Sequence, residues 1–134
     1  MKGKTVYVDG VFDLFHVGHI ALLKKAKQFG DHLIIGVVTD EDAKSYKRQP
    51  IVPFAYRSKM VEEFGIGIKV VPAVLYITEQ FIKENNIDIV VHGDDDEQAN
   101  FYKVPREMGI MRYLPYTKGI STSNIIGWFK ERGV

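Results

Sequence analysis

Five short apolar runs alternate with longer stretches of helical periodicity, and this alternation constrains the fold more than any other feature of the chain. The runs are rich in valine, isoleucine and leucine and cover residues 5–8, 33–38, 68–71, 87–91 and 110–114. The second and fourth runs are almost entirely apolar, which is typical of strands buried on both faces of a parallel sheet. We therefore predict an α/β, Rossmann-like fold in which helices cover both faces of an open, parallel five-stranded sheet.

Helical patterns occupy most of the connections between these runs. Thr78 is a suitable N-cap, and Gly30 is a candidate C-cap for the first helix. The connection of residues 39–53 is predicted to be a long loop, and long loops are often functional. Helices are predicted over residues 19–29, 57–64, 78–85 and 100–108, with a last helix from 121–123 to 131 or 132.

Size and composition exclude several classes of protein. A chain of 134 residues without a repeat or linker fits one domain. The net charge of +1 provides no field that would attract nucleic acid. The absence of cysteine excludes disulfides, thiolate catalysis and cysteine-based zinc sites. No apolar run approaches the ~20 residues of a membrane span, and no signal-peptide core is present. We expect a cytoplasmic location.

Parallel sheets of this kind bind ligands beyond the carboxyl ends of their strands, where the strand order reverses. Two histidines, His16 and His19, lie in the first such loop, three residues apart. If a helix begins near His16, both rings lie on one face of its first turn, where free N–H groups favour an anion. Gly18 would let a ligand approach the backbone. Phosphate binding is the prediction; half of a metal site and a purely structural role are the alternatives.

Residues 10–19, which contain His16-x-Gly18-His19, resemble the signature of the cytidylyltransferases, within the wider nucleotidyltransferase superfamily. A second segment, Gly-Ile-Ser-Thr-Ser at 119–123, is similar to another signature of that family. The two motifs occur in the family's order and lie more than a hundred residues apart. The resemblance implies that residues 1–134 form a single catalytic domain. That domain would transfer CMP from CTP to a phosphorylated small alcohol, with release of pyrophosphate.

The resemblance also implies roles for individual residues. His16, His19 and Lys47 would be catalytic, and Arg57 with Lys47 would bind the substrate phosphate. Mg²⁺ would accompany CTP without a dedicated metal site on the protein, and the chain would form a homodimer. The expected nucleotide-binding residues are Gly10, Val11, Phe12, Gly18, His92, Asp94, Gly119, Ile120, Ser121 and Thr122.

The acceptor alcohol is the least constrained part of this hypothesis. His92-Gly93-Asp94-Asp95 resembles the corresponding segment of phosphoethanolamine cytidylyltransferases, so phosphoethanolamine or phosphocholine is favoured. Glycerol-3-phosphate, another alcohol phosphate or a phosphonate are alternatives, as are a different nucleotide base and a non-catalytic nucleotide-binding module. The acidic run at 94–96 could face a cationic head group, cytosine, magnesium or only water.

The chain departs from the family pattern in the last loop. Tyr116 stands where the family has an arginine that is expected to contact the triphosphate, and Lys118 stands where an acid is usual. Loss of one charge-assisted contact would weaken binding of the nucleotide by about ten- to a hundredfold. Lys118 or Arg112 could restore the charge from another position. Lys44 and Lys47, with Arg48, also gather positive charge in the 39–53 connection.

Overall fold

The computed structural model describes residues 3–94, 100–115 and 120–133, in which five strands form one parallel sheet. The sheet has the order β3-β2-β1-β4-β5, and every neighbouring pair is parallel. The predicted open, parallel five-stranded sheet is therefore confirmed. Strand order reverses at β1, which lies between β2 and β4. The strands are β1 (Thr5–Gly10), β2 (His32–Val37), β3 (Lys69–Pro72), β4 (Ile89–Gly93) and β5 (Met111–Leu114).

In the described ranges, six α-helices connect and cover these strands. Alternate residues of β1 point to opposite faces: Val6 and Val8 belong to one apolar core and Tyr7 to the other. The first core includes side chains of α1 and α3, and the second includes side chains of α4 and α5. Both faces of the sheet are thus covered, as predicted. The helices are α1 (Val17–Lys27), α2 (Asp40–Tyr46), α3 (Phe54–Phe64), α4 (Glu79–Glu84), α5 (Lys103–Glu107) and α6 (Thr122–Glu131).

Two features of the helices differ from the sequence-based prediction. The 39–53 connection contains α2, whose first turn is capped by Thr39 Oγ1 accepting from the Asp42 N–H at 3.2 Å. Helix α1 ends at a C-cap on Gln28 rather than on Gly30. Gly30 serves close packing instead, since a Cβ there would lie 2.7 Å from the Lys4 carbonyl oxygen. Thr78 does cap α4, as predicted. Within the described ranges no helix is long and apolar enough to cross a membrane.

Candidate active site

Two adjoining cavities open at the carboxyl ends of β1 and β4, where the strand order reverses. The first, which we call the strand cavity, is lined by Asp9, His92 and Tyr102 among others. The second, the helix cavity, lies between the first turns of α1 and α6. The two cavities meet at a shared wall of His19, Leu22, Lys47, Arg48, Gly93 and Thr122.

The two histidines cap the helix from which they project. His16 is the N-cap of α1, and its Nδ1 accepts a hydrogen bond from the Gly18 N–H at 3.0 Å. The Nδ1 of His19 in turn accepts from the backbone N–H of His16 at 3.1 Å. A neutral imidazole carries its proton on the nitrogen that is not accepting. Both rings are therefore held as the Nε2–H tautomer, which leaves Nε2–H as the donor for a ligand.

Stacking and burial keep this pair of rings uncharged. The His19 ring lies between His16, at a centroid distance of 3.7 Å, and Phe15, at 5.6 Å. Burial lowers the pKa of His19 to about 3, and the Lys47 ammonium and a protonated His16 would act in the same direction. Burial also lowers the pKa of His16. At neutral pH the site therefore offers two neutral N–H donors instead of two cations.

The loop that carries the histidines has a strained backbone. Phe12 and Leu14 adopt positive φ values of 55° and 51°, a region that costs non-glycine residues on the order of 1 kcal/mol each. The Asp13 carboxylate holds the loop by accepting from the backbone N–H groups of Ile51 and Val52, at 2.8 and 3.0 Å. These contacts stabilise the strained conformation of the loop and thereby fix the residue at which α1 begins.

Packing of the His16 ring also requires glycine at position 18. A Cβ on Gly18 would lie 2.8 Å from His16 Cε1 and 3.4 Å from Ile120 Cγ2. The His16 ring folds back over its own helix, and glycine leaves room for it.

Among the described residues, three lysine or arginine side chains line the helix cavity. Lys47, predicted as catalytic, follows α2 and lies at the wall shared by both cavities. Arg48 is beside it and donates from Nη1 to Ser123 Oγ at 3.4 Å. Lys25 reaches the same cavity from α1. Sequence reasoning placed Arg48 in the cationic cluster of the 39–53 connection without assigning it a role, and it did not select Lys25. Lys25 could have been found from its spacing, because residues i and i+7 of a helix, here Gly18 and Lys25, lie on the same face.

Arg57 does not line either cavity, and its geometry contradicts the predicted contact with a substrate phosphate. The side chain is 1% exposed. Its Nη2 donates to Asp40 Oδ1 at 2.6 Å, and its other bonds go to three backbone carbonyls. These are the carbonyls of Val11, Val38 and Val52, at 2.6, 2.8 and 2.8 Å. Arg57 therefore joins the loops after β1 and β2 to the start of α2.

A buried polar cluster at the end of β1 and β4 forms part of the strand cavity. The Tyr102 hydroxyl donates to Asp9 Oδ1 at 2.7 Å and lies 2.9 Å from His92 Nδ1. Burial and the neighbouring Asp9 raise the pKa of Tyr102 well above its usual value. Because the hydroxyl's one proton points at Asp9, His92 Nδ1 carries a proton toward Tyr102. Sequence reasoning selected His92 but missed Asp9 and Tyr102.

The remaining predicted nucleotide-binding residues are distributed between the two cavities. Most of those described line one of them: Gly10, Val11, Phe12 and His92 line the strand cavity, Gly18, Ile120 and Ser121 the helix cavity, and Thr122 both. Asp94 is exposed and lines neither. Gly119, Tyr116 and Lys118 lie outside the described residues.

The start of α6 combines capping with the cavity wall. Ser121 Oγ accepts from the Asn124 N–H at 3.1 Å, and Thr122 Oγ1 donates to the Asp13 carbonyl at 2.9 Å. Arg112, considered as a replacement for the family's arginine, is exposed. It donates to the carbonyls of Gly109 and Met111 and lines neither cavity.

Comparison with known proteins identifies the family of the chain. A family profile described as Cytidylyltransferase-like matches residues 7–127. The chain belongs to the cytidylyltransferase-like family.

The chain covers very different shares of its curated relatives. Glycerol-3-phosphate cytidylyltransferase of Bacillus subtilis is 38% identical over 124 residues, which cover 91% of this chain and 94% of that protein. Ethanolamine-phosphate cytidylyltransferase of Arabidopsis thaliana is 35% identical over 135 residues, but these cover 94% of this chain and 32% of that protein. The chain thus spans about a third of the length of its ethanolamine-phosphate relatives.

Solved structures support the same fold. A lipopolysaccharide core biosynthesis protein from Thermoplasma volcanium matches with a TM-score of 0.71 at 25% identity, covering 89% of this chain and 100% of that one. Pantothenate synthetase from Thermus thermophilus matches with a TM-score of 0.62 at 14% identity, which indicates a shared fold only.

Proposed function

We propose that this cytidylyltransferase-like domain transfers CMP from CTP to the phosphate of an amino alcohol, phosphoethanolamine or phosphocholine. The products are a CDP-alcohol and pyrophosphate. The observation that carries the proposal is the histidine pair at the start of α1, whose reciprocal capping directs two neutral Nε2–H donors away from the backbone. Donors held in advance of the reaction stabilise charge that develops on a phosphoryl group.

The proposed chemistry is an in-line displacement at the α-phosphorus of CTP. An oxygen of the acceptor phosphate forms a bond to that phosphorus while the bond to the bridging oxygen breaks, and pyrophosphate leaves with the electron pair. His19 and Lys47 lie where the cavities meet, so they would contact the reacting phosphate. Such chemistry depends mainly on positioning and charge neutralisation.

The amino-alcohol acceptor is proposed from the buried carboxylate of Asp9. Asp9 is 5% exposed and lines the strand cavity with the aromatic side chains of Phe101 and Tyr102. A carboxylate beside aromatic rings suits a cationic head group. The ethanolamine-phosphate and choline-phosphate relatives agree with this choice, whereas the Bacillus subtilis relative is named for an uncharged alcohol.

Magnesium would supply charge neutralisation on the triphosphate of the bound nucleotide. Among the described residues, no three histidine or carboxylate side chains are grouped in a way that could hold a metal. The Asp13 carboxylate is occupied by two backbone N–H groups. The residues present therefore fit a metal that arrives on the nucleotide rather than one held in a protein cage.

The test of the chemistry is His16→Asn, because asparagine can still cap the helix but lacks Nε2–H. We expect kcat for CDP-alcohol formation to fall by about 10²–10³-fold with the circular dichroism spectrum unchanged. Val17→Ala, at the exposed position between the histidines, is the matched control. Near-normal turnover of folded His16→Asn would contradict the proposal.

The test of the acceptor is a panel of phosphoethanolamine, phosphocholine and glycerol-3-phosphate with CTP, scored by pyrophosphate release. We expect Asp9→Asn to lower kcat/KM for the preferred amino-alcohol phosphate by at least about tenfold, since the carboxylate charge is lost. Tyr102→Phe keeps that charge and is the control, with a smaller loss. Preference of the wild type for glycerol-3-phosphate would refute the choice of acceptor while leaving cytidylyl transfer intact.

A further inference from the structure

Lys25 occupies the end of a helical stripe that faces the helix cavity. Gly18, Leu22 and Lys25 are spaced i, i+4 and i+7 on α1, and all three line this cavity. Side chains on a helix tilt toward its N-terminus, so the Lys25 stem runs back toward the turn that carries His16.

The cavity that Lys25 lines has an unusually one-sided charge. Its described lining includes three cationic side chains, Lys25, Lys47 and Arg48, and no carboxylate. No ion pair joins any of the three to a carboxylate in the described part of the chain. The N-termini of α1 and α6, helices of 11 and 10 residues, also meet at this cavity. Such a wall fits a ligand with several negative charges.

The positions of the charged side chains along the two cavities indicate which part of the reactants each cavity would hold. His19 and Lys47 lie at the shared wall, and Asp9 lies in the strand cavity. If the shared wall holds the reacting phosphorus and the strand cavity holds the acceptor, the leaving group occupies the helix cavity. Lys25 lines only this second cavity.

We propose that Lys25 binds the terminal phosphates of the nucleotide, the part that leaves as pyrophosphate. This inference rests on the proposed function and adds a phosphate-binding residue that lies outside both sequence motifs, 10–19 and 119–123. Lys25 supplies positive charge in a chain where Tyr116 stands in place of the family's arginine. Lys25 should therefore increase the affinity for CTP and pyrophosphate, but not for CMP, which lacks those phosphates.

The experiment compares Lys25→Gln with Lys24→Gln by calorimetry, using pyrophosphate, CTP and CMP with Mg²⁺ as separate probes. Lys24 is exposed on the same helix and lines neither cavity. We expect Lys25→Gln to weaken binding of pyrophosphate and CTP by about tenfold and to leave CMP binding unchanged. Lys24→Gln should match the wild type, and Lys25→Arg should restore most of the affinity.

Kinetics provides a second readout. Lys25→Gln should raise the KM for CTP and weaken product inhibition by pyrophosphate, with the KM for the acceptor unchanged. Unchanged pyrophosphate affinity, or an equal loss for CMP, would overturn the role of Lys25. Since binding is measured without turnover, this result is independent of the reaction. Absence of transfer by the wild type with every acceptor would overturn the proposed function alone.

Discussion

At the scale of single residues, His16 and His19 each use Nδ1 to satisfy a backbone N–H at the start of α1. These N–H groups have no partner within the helix, and each would otherwise need water or another side chain. The same two bonds fix both tautomers and the direction of both Nε2–H groups. A structural task and a binding task are thus performed by different atoms of one ring.

The first prediction concerns the protonation of these rings. Nitrogen-15 NMR should show both histidines as Nε2–H tautomers at neutral pH, and His19 should stay neutral down to about pH 5, because its pKa is lowered to about 3. An Nδ1–H signal for either histidine of the pair would contradict the capping geometry.

Arg57 illustrates a charged residue that is used for structure. It is buried and joins three carbonyls and the Asp40 carboxylate, so its removal leaves several buried acceptors without a donor. We expect Arg57→Met to lower the free energy of unfolding by about 3–5 kcal/mol, measured by urea denaturation.

The control for Arg57 is Lys59→Met on the same helix. Lys59 pairs with Glu63 on the exposed face, where ion pairs contribute little, and we expect no measurable change in the urea midpoint. If Arg57→Met kept wild-type stability and instead lost affinity for the acceptor phosphate, the sequence-based role of Arg57 would be right after all.

At the scale of secondary-structure elements, the first turn of α1 depends on the glycine between its histidines. A methyl group at Gly18 would lie 2.8 Å from the His16 ring and would force that ring to rotate. We expect Gly18→Ala to lower kcat by about ten- to a hundredfold and the free energy of unfolding by about 1 kcal/mol, since the cap is weakened.

Gly127→Ala is the matched control for that prediction. Gly127 lies in α6, and a Cβ added there would have open space around it, with no neighbouring atom of the described residues within 4 Å. Alanine at this position should therefore be neutral or slightly stabilising. Steady-state kinetics and urea denaturation of the two variants give the comparison. Equal kcat values for both would show that the His16 ring has no need of the space at position 18.

Helix α2 could not be predicted from the periodicity of apolar residues. Its seven residues, Asp40–Tyr46, bury only Ala43, so no apolar stripe marks it and the connection reads as a loop. Its stability comes from the Thr39 cap and from Arg57, which reaches Asp40 from α3. The cap is visible in the sequence, whereas the contact with α3 depends on how the chain returns to this point.

At the scale of the whole molecule, stability should depend on pH through His19 and Asp40. The folded-state pKa of His19 is lowered from 6.5 to about 3, so the unfolded chain binds more protons between these values. The free energy of unfolding should therefore be highest above about pH 6.5 and should fall as the pH drops toward 3. Arg57 also lowers the pKa of Asp40, which extends the loss below the usual carboxylate range.

This dependence can be measured by urea denaturation at several pH values between about 8 and 4. His19→Gln removes the titrating ring and should flatten the upper part of the profile. Val17→Ala, at an exposed site that carries no titrating group, should leave the profile unchanged. A wild-type stability that is constant from about pH 7 to 4 would contradict a buried, neutral His19.

The sequence by itself determined the sheet, its parallel arrangement and the position of the histidine pair. Alternating patterns and a three-residue spacing are local properties, and each specifies its own element. Two motifs, at 10–19 and 119–123, also sufficed to indicate the family. These features would persist in any packing that buries the apolar runs.

Only the tertiary structure decided which charged residues serve the cavities. Lys25 and Arg48 reach the helix cavity and Asp9 meets Tyr102, although these residues come from separate elements. Arg57 has the same charge but is turned inward to three carbonyls. The physical reason is that the direction of a side chain depends on packing between elements distant in sequence, which no local pattern encodes.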